Sequence, residues 1–105
     1  MKTVTVCIGN SDNKLTQEEW HKFWDVMDYE IERLAREIYF SGSSVGTSLY
    51  QNACWVFSIE NDYPDSIPPT NYITPEIELI SLIKSIREHF KQDSVAIVIG
   101  DTQFI

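Results

Sequence analysis

The sequence predicts an α+β fold of the ferredoxin-like type, in which a four-stranded antiparallel sheet carries both helices on one face. Two segments space their apolar residues as amphipathic helices do, and four short segments have strand-like patterns. Along the chain these segments follow the order β-α-β-β-α-β, and the β-α-β halves favour right-handed crossovers. A chain of 105 residues has room for one hydrophobic core, so we interpret residues 1–105 as a single domain.

The first strand and the first helix have the clearest signals. Residues 3–8 alternate between two sets of side chains, as a half-buried strand does. Residues 16–36 predict a helix that opens with a capping box formed by Thr16 and Glu19. Its apolar residues form one wide stripe that we expect to be buried, namely Trp20, Phe23, Trp24, Met27, Ile31, Leu34 and Ala35.

The middle of the chain predicts two further strands and a long connection. Residues 37–40 and 53–59 have strand patterns, and residues 41–48 between them are rich in serine and glycine. The whole connection, residues 41–52, is too long for a tight hairpin turn, so we expect it to project as a flap. Residues 61–73 contain three prolines and predict an irregular connection.

The second helix and the last strand complete the order of elements. Thr74 stands at a capping position and Pro75 at the first helical position, where the missing amide hydrogen costs nothing. We expect the residues that follow to form a core stripe of Ile77, Ile80, Ile83, Ile86 and Phe90, widened by Leu79 and Leu82. Residues 94–99 are rich in β-branched side chains and predict the fourth strand.

Composition limits the classes of function. The formal net charge is −8, and such a surface repels phosphate backbones, so we expect no direct nucleic-acid binding. The chain begins without the pattern of a signal peptide and has no apolar run near the roughly 20 residues of a membrane span. These features predict a cytoplasmic protein that does not bind membranes. Cys7 and Cys54 fit two small buried residues in a reducing compartment, and the alternative is a redox pair.

The face of the sheet without helices is the predicted surface for self-association. This face is only mildly polar, and a semi-apolar open sheet often pairs with a second copy of itself. We therefore expect a homo-oligomer. The side chains that the alternation assigns to this face are Thr3, Thr5, Cys7, Cys54, Val56, Ala96 and Val98.

The predicted topology gathers several polar loops at one end of the molecule. The first strand, the second strand and the second helix all end there, so their following loops meet although they are distant in sequence. The resulting set is rich in amides and hydroxyls, which suit recognition of a small polar ligand. The candidate ligand-binding residues are Asn10, Ser11, Asp12, Lys14, Tyr50, Gln51, Asn52, Gln92, Asp93 and Ser94.

Three segments of the chain carry a resemblance to a known family. They are IGNSDNKLTQEEW at residues 8–20, QNACW at residues 51–55 and QDSVA at residues 92–96. In this order they resemble blocks of a family of small bacterial and phage proteins with no assigned activity. The resemblance implies a shared site at these segments and a phage setting, and it leaves the ligand open. The flap and the proline-rich connection match nothing in that family.

The residues favour binding over catalysis. We expect a non-enzymatic protein that captures a small, nucleotide-derived ligand at the loop end, in a phage setting to counter a host defence signal. The alternative is a protein inhibitor that presents the acidic helical residues Glu18, Asp25 and Glu32 to a basic host surface. A weaker alternative is a small hydrolase that uses Asp12 and Asp93. His21 and His89 lack metal-ligand spacing, so we predict neither a metal site nor a cofactor.

Overall fold

In a computed structural model, the chain forms four strands and two helices within the described residues, which are 1–10, 14–44, 51–60 and 74–105. The predicted loop residues 61–73 and the central part of the predicted flap, residues 45–50, lie outside them. The elements in chain order are β1 (Lys2–Gly9), α1 (Gln17–Leu34), β2 (Glu37–Ser43), β3 (Asn52–Ile59), α2 (Pro75–His89) and β4 (Ala96–Asp101).

The four strands form one antiparallel sheet in the order β2-β3-β1-β4. β1 and β3 occupy the centre and pair along their whole length, from Lys2 opposite Ile59 to Gly9 opposite Asn52. β4 and β2 form the two edges. This strand order, with two helices in the connections, confirms the predicted ferredoxin-like α+β sandwich.

The core lies between the helices and one face of the sheet. Alternate residues of β1 and β3 point into it, because successive side chains of a strand face opposite sides. From α1 the predicted stripe is confirmed, with Trp20, Phe23, Met27 and Ile31 buried. The two helices meet where the rings of Phe23 and Phe90 stack with their centroids 5.0 Å apart.

The ends of both helices follow the predicted capping chemistry. The Thr16 hydroxyl accepts a hydrogen bond from the Glu19 amide, and the Glu19 carboxylate accepts one from the Thr16 amide, which completes the capping box. Thr74 caps α2 through the Ile77 amide, with Pro75 at the first helical position. Neither helix in the described part of the chain is long and apolar enough to cross a membrane.

Several sequence predictions differ from the structure. β2 runs to Ser43, so the first three residues of the predicted flap belong to the sheet and pair with β3 as far as Ala53. β4 begins at Ala96 and not at residue 94. Ile77, predicted to be in the core, has 55% of its surface exposed. The buried stripe of α2 is centred on Leu79, and a residue two positions away lies about 200° around the helix.

We call the face of the sheet opposite the helices the open face, because no helix or strand of the described residues covers it. Phe40 and Val98 are among its exposed apolar residues, and a Cβ at Gly42 would lie 2.9 Å from the ring of Phe40. The ring therefore lies over this glycine, which faces Cys54 across the β2–β3 pair. In the same face Cys7 and Cys54 stand directly opposite each other on the two central strands.

Candidate functional site

The loop after β1 is held by the side chain of Asn10, which is buried. Its Oδ1 accepts a hydrogen bond from the Leu15 amide at 3.0 Å, and its Nδ2 donates to the Leu15 carbonyl at 3.1 Å. The same Nδ2 donates to Oε1 of Gln51 at 3.1 Å, and the Asn10 backbone amide donates to the Gln51 carbonyl. Asn10 therefore closes the loop that leads into α1 and ties it to the start of β3.

Gln51 extends this network to the first turn of α1. The amide groups of Gln17 and Gln51 bond to each other in both directions, at 2.9 and 2.7 Å. Gln51 is buried, whereas Gln17 is exposed. A primary amide has two N–H donors and two acceptor lone pairs, so Gln17 keeps one of each beyond its pair with Gln51. The network thus presents a fixed amide edge to the surface.

This amide edge borders a groove between α1 and the ends of β2 and β3, which we call the amide groove. Its volume is about 340 Å³, within the range of small-molecule sites. It combines two indole side chains with amide, hydroxyl and imidazole groups. The lining residues are Gln17, Trp20, His21, Trp24, Ser43, Ser44 and Gln51.

Each part of the amide groove is held by the fold. Trp24 packs against Trp55 with ring centroids 6.1 Å apart, and the Trp55 indole donates to Asp28 on α1 at 2.9 Å. Ser44 accepts a hydrogen bond from the Asn52 amide, which closes the end of β2 onto β3. The described lining of the groove therefore comes from α1, from the last residue of β2 and from the residues that flank β2 and β3.

A second hollow lies on the other side of the sheet, where β1 meets β4. It measures about 370 Å³ and is lined by Cys7, Ile8, Gly9, Gln92, Asp93, Ser94 and Ala96. Near its rim Lys14 binds Asp93, with Nζ and Oδ2 2.6 Å apart and both side chains largely exposed. The hydrogen bond from Lys14, together with its positive charge, lowers the pKa of Asp93 from its ordinary value.

The predicted convergence of loops is partly visible in these contacts. The structure brings Asn10 to Gln51 and Lys14 to Asp93, and pairs Gly9 with Asn52. However, Gln51 lines the amide groove on the β2–β3 side, whereas residues 92–94 line the hollow on the β1–β4 side. Of the predicted ligand contacts, Ser11, Asp12 and Tyr50 lie outside the described residues.

Sequence reasoning did not assign Gln17, Trp20, His21 and Trp24 to a site. The two tryptophans were predicted to be in the core, and Trp20 is indeed only 9% exposed. The amide Gln17 follows the capping residue directly, in a position that is normally solvated. Its partner is 34 residues away, so no local pattern indicated the pair.

The chemistry of these residues suits binding. His21 lies 3.3 Å from Asp25 one turn along α1, and both are exposed. Within the described ranges, no three His, Cys, Asp or Glu side chains are grouped as metal ligands are. The predicted carboxylate pair of Asp12 and Asp93 cannot be placed because Asp12 lies outside those ranges.

Comparisons with protein-family models, with curated proteins and with solved structures found no match. The resemblance to a bacterial and phage family therefore stays a hypothesis that depends on the three sequence blocks.

Proposed function

We propose that this protein is a non-enzymatic binding protein whose amide groove captures a small polar ligand with a planar heteroaromatic ring. One observation carries the proposal: a reciprocal Gln17–Gln51 amide pair stands beside two tryptophans in a groove of about 340 Å³. Aromatic side chains provide apolar area for a ring, and an amide reads the donors and acceptors on its edge. Sites of this kind are largely apolar with a few fixed polar groups.

The charges near the groove narrow the ligand class. No lysine or arginine is among its described lining residues, and the whole chain carries a formal charge of −8. A phosphate would meet a repulsive field there. We therefore expect the groove to recognise the base and sugar of a nucleotide-derived ligand, with Ser43 and Ser44 as hydroxyl partners. Phosphates would then remain in solvent.

A biological setting follows from the sequence resemblance alone. If the chain belongs to the phage and bacterial family, a non-enzymatic binding protein would remove its ligand by sequestration. A host signalling nucleotide is the ligand that such a phage protein would counter. The phage setting is a separate proposal, and it does not depend on which part of the surface binds the ligand.

The first experiment is a titration with adenosine, AMP and a cyclic dinucleotide, with ribose 5-phosphate as the ligand that lacks a ring. Binding in the amide groove should change the fluorescence of Trp20 and Trp24 and raise the melting temperature. At about 100 times its dissociation constant, a ligand stabilises the folded state by about 2.7 kcal/mol. We expect one or more ring-bearing ligands to produce both signals and ribose 5-phosphate to produce neither.

Two substitutions locate the binding site. Gln17→Ala removes the exposed amide, and Ser43→Tyr fills the groove, so each should weaken binding by about tenfold or more. The matched controls are Gln103→Ala and Ser85→Tyr, which change the same residue types at exposed positions outside the groove. Equal affinity in all four variants would show that the ligand binds elsewhere and would overturn the site.

The alternative function, an acidic inhibitor of a basic protein, concerns the outer face of α1. Glu18, Asp25 and Glu32 are exposed there. One of them already has a neighbour of opposite charge, because Lys22 lies 3.4 Å from Glu18. This neighbour weakens the field of that face, so the geometry favours the amide groove. Partner binding that falls steeply with added salt and with Glu32→Lys would favour the inhibitor.

A further inference from the structure

The two cysteines of the chain form a close pair on the open face of the sheet. Cys7 on β1 and Cys54 on β3 are directly opposed in the strand register, and their sulfur atoms are 3.4 Å apart. Both thiols are free and both residues are half-buried. Cα atoms of directly opposed residues in antiparallel strands lie about 4.5–5.5 Å apart, within the range that a disulfide spans.

The surroundings give the two thiols different roles. Cys7 lines the hollow between β1 and β4, so a small reagent can reach it there. Burial, followed by the neighbouring Cys7 thiol, raises the pKa of Cys54 above its ordinary value. A thiol with a raised pKa is suited to the second, intramolecular step, in which proximity compensates for a small thiolate fraction.

We propose that Cys7 and Cys54 are a reversible disulfide site that is oxidised by small-molecule disulfides of the glutathione type. In the first step the Cys7 thiolate bonds to one sulfur of the reagent, whose S–S bond breaks and releases one small thiol. In the second step the Cys54 thiolate bonds to Cys7 and displaces the remaining small thiol. Two protein thiols and one small disulfide thus become one protein disulfide and two small thiols.

Accessibility explains why the bond should be reversible. Both cysteines are half-buried, and Cys7 lines the hollow between β1 and β4, so a small thiol can reach the bond. Exposed disulfides are more easily reduced than structural ones. Cys7 lies three residues before Asn10, and Cys54 lies three residues after Gln51. The thiol pair is therefore close in sequence to both segments that the Asn10–Gln51 hydrogen bond joins.

The test uses the purified protein with its two natural cysteines. It is incubated with oxidised glutathione, and the intact mass and the cross-linked peptide are determined by mass spectrometry. We expect loss of two hydrogen atoms, a Cys7–Cys54 cross-link within one chain, and full return to the dithiol in excess reduced glutathione. Stable mixed disulfides, disulfide-linked dimers or a bond that resists excess reduced glutathione would each overturn the proposal.

Three variants separate the direct pair from general thiol reactivity. Cys7→Ser and Cys54→Ser should each stop at the mixed disulfide on the remaining thiol. The matched control combines Cys54→Ser with Val56→Cys, which keeps two thiols on the same face but moves one to a diagonal position about 7–8 Å away. This control should form no internal cross-link. If it closes as readily as the natural pair, the assignment to opposed cysteines is wrong.

Discussion

Asn10 shows how one side chain can look like a ligand contact in sequence and serve the fold in the structure. It follows a strand, precedes a helix and belongs to a polar loop, which is a typical setting for a binding residue. In the structure it is 1% exposed, and it satisfies both the N–H and the C=O of Leu15. Its remaining contact is to Gln51, so its influence on the amide groove is one of positioning.

Replacing Asn10 by alanine should therefore lower stability. The change leaves the N–H and C=O of Leu15 buried without these partners, and each unsatisfied group costs about 1–3 kcal/mol. We expect the free energy of unfolding to fall by about 3 kcal/mol, measured by urea denaturation. Gln103→Ala, at an exposed position, is the matched control and should have no measurable effect. If Asn10→Ala left the free energy of unfolding unchanged, the conclusion that Asn10 closes the loop before α1 would be wrong.

At the scale of elements, α1 connects the sequence signals with the candidate site. Its capping box orients the first turn, and that turn carries Gln17, which bonds to Gln51. The hydrogen bond from the Thr16 amide, together with the Thr16 side chain, lowers the pKa of Glu19 below its ordinary value of 4.5. The ionised carboxylate is therefore the form that the folded helix end stabilises.

This pKa shift predicts how the stability of the helix end depends on pH. A carboxyl whose folded-state pKa is lowered stabilises the fold above its unfolded-state pKa, and the contribution disappears as pH falls through the folded-state value. Melting temperatures of wild type and Glu19→Gln are compared from pH 7 to pH 3. Wild type should have its largest advantage near pH 7 and lose it as pH falls below 4.5 and through the lowered folded-state pKa. If the difference in melting temperature between wild type and Glu19→Gln did not change with pH, the ionised Glu19 carboxylate would not be its cause.

At the scale of the whole molecule, the two described helices cover one face of the sheet. The other face carries apolar side chains, with Phe40 57% and Val98 67% exposed. An exposed apolar face of this kind is typical of a surface that associates with a second copy, and the homo-oligomer stays a prediction. The Cys7–Cys54 pair lies in this same face, so oligomer formation and oxidation should influence each other.

A charge placed on the open face tests the predicted homo-oligomer. Val98→Lys puts an ammonium group on this face, and light scattering coupled to size-exclusion chromatography gives the mass in solution. We expect wild type to be larger than a single chain and Val98→Lys to shift toward the monomer. Val26→Lys is the matched control, because Val26 is an exposed valine on the outer side of α1. A monomeric wild type at high concentration would contradict the prediction.

The sequence by itself determined the order of elements, both helix starts and most of the core. These features depend on residues close together in the chain, such as the Thr16–Glu19 capping box and the stripe from Trp20 to Ile31. Where local patterns were ambiguous, prediction was less accurate. In α2 some apolar residues also lie outside the buried stripe, and Ile77 was assigned to the core together with Leu79 although it is exposed.

Only the tertiary structure decided which distant polar groups meet. The amide groove depends on Gln17 reaching Gln51 across 34 residues, and the thiol pair depends on Cys7 meeting Cys54 across 47. Both follow from the β1–β3 register, which no local pattern specifies. A shift of one residue would turn every side chain of a strand to the other face. Register is set by the packing of the whole core, and therefore the contacts of the candidate sites appear only in the folded chain.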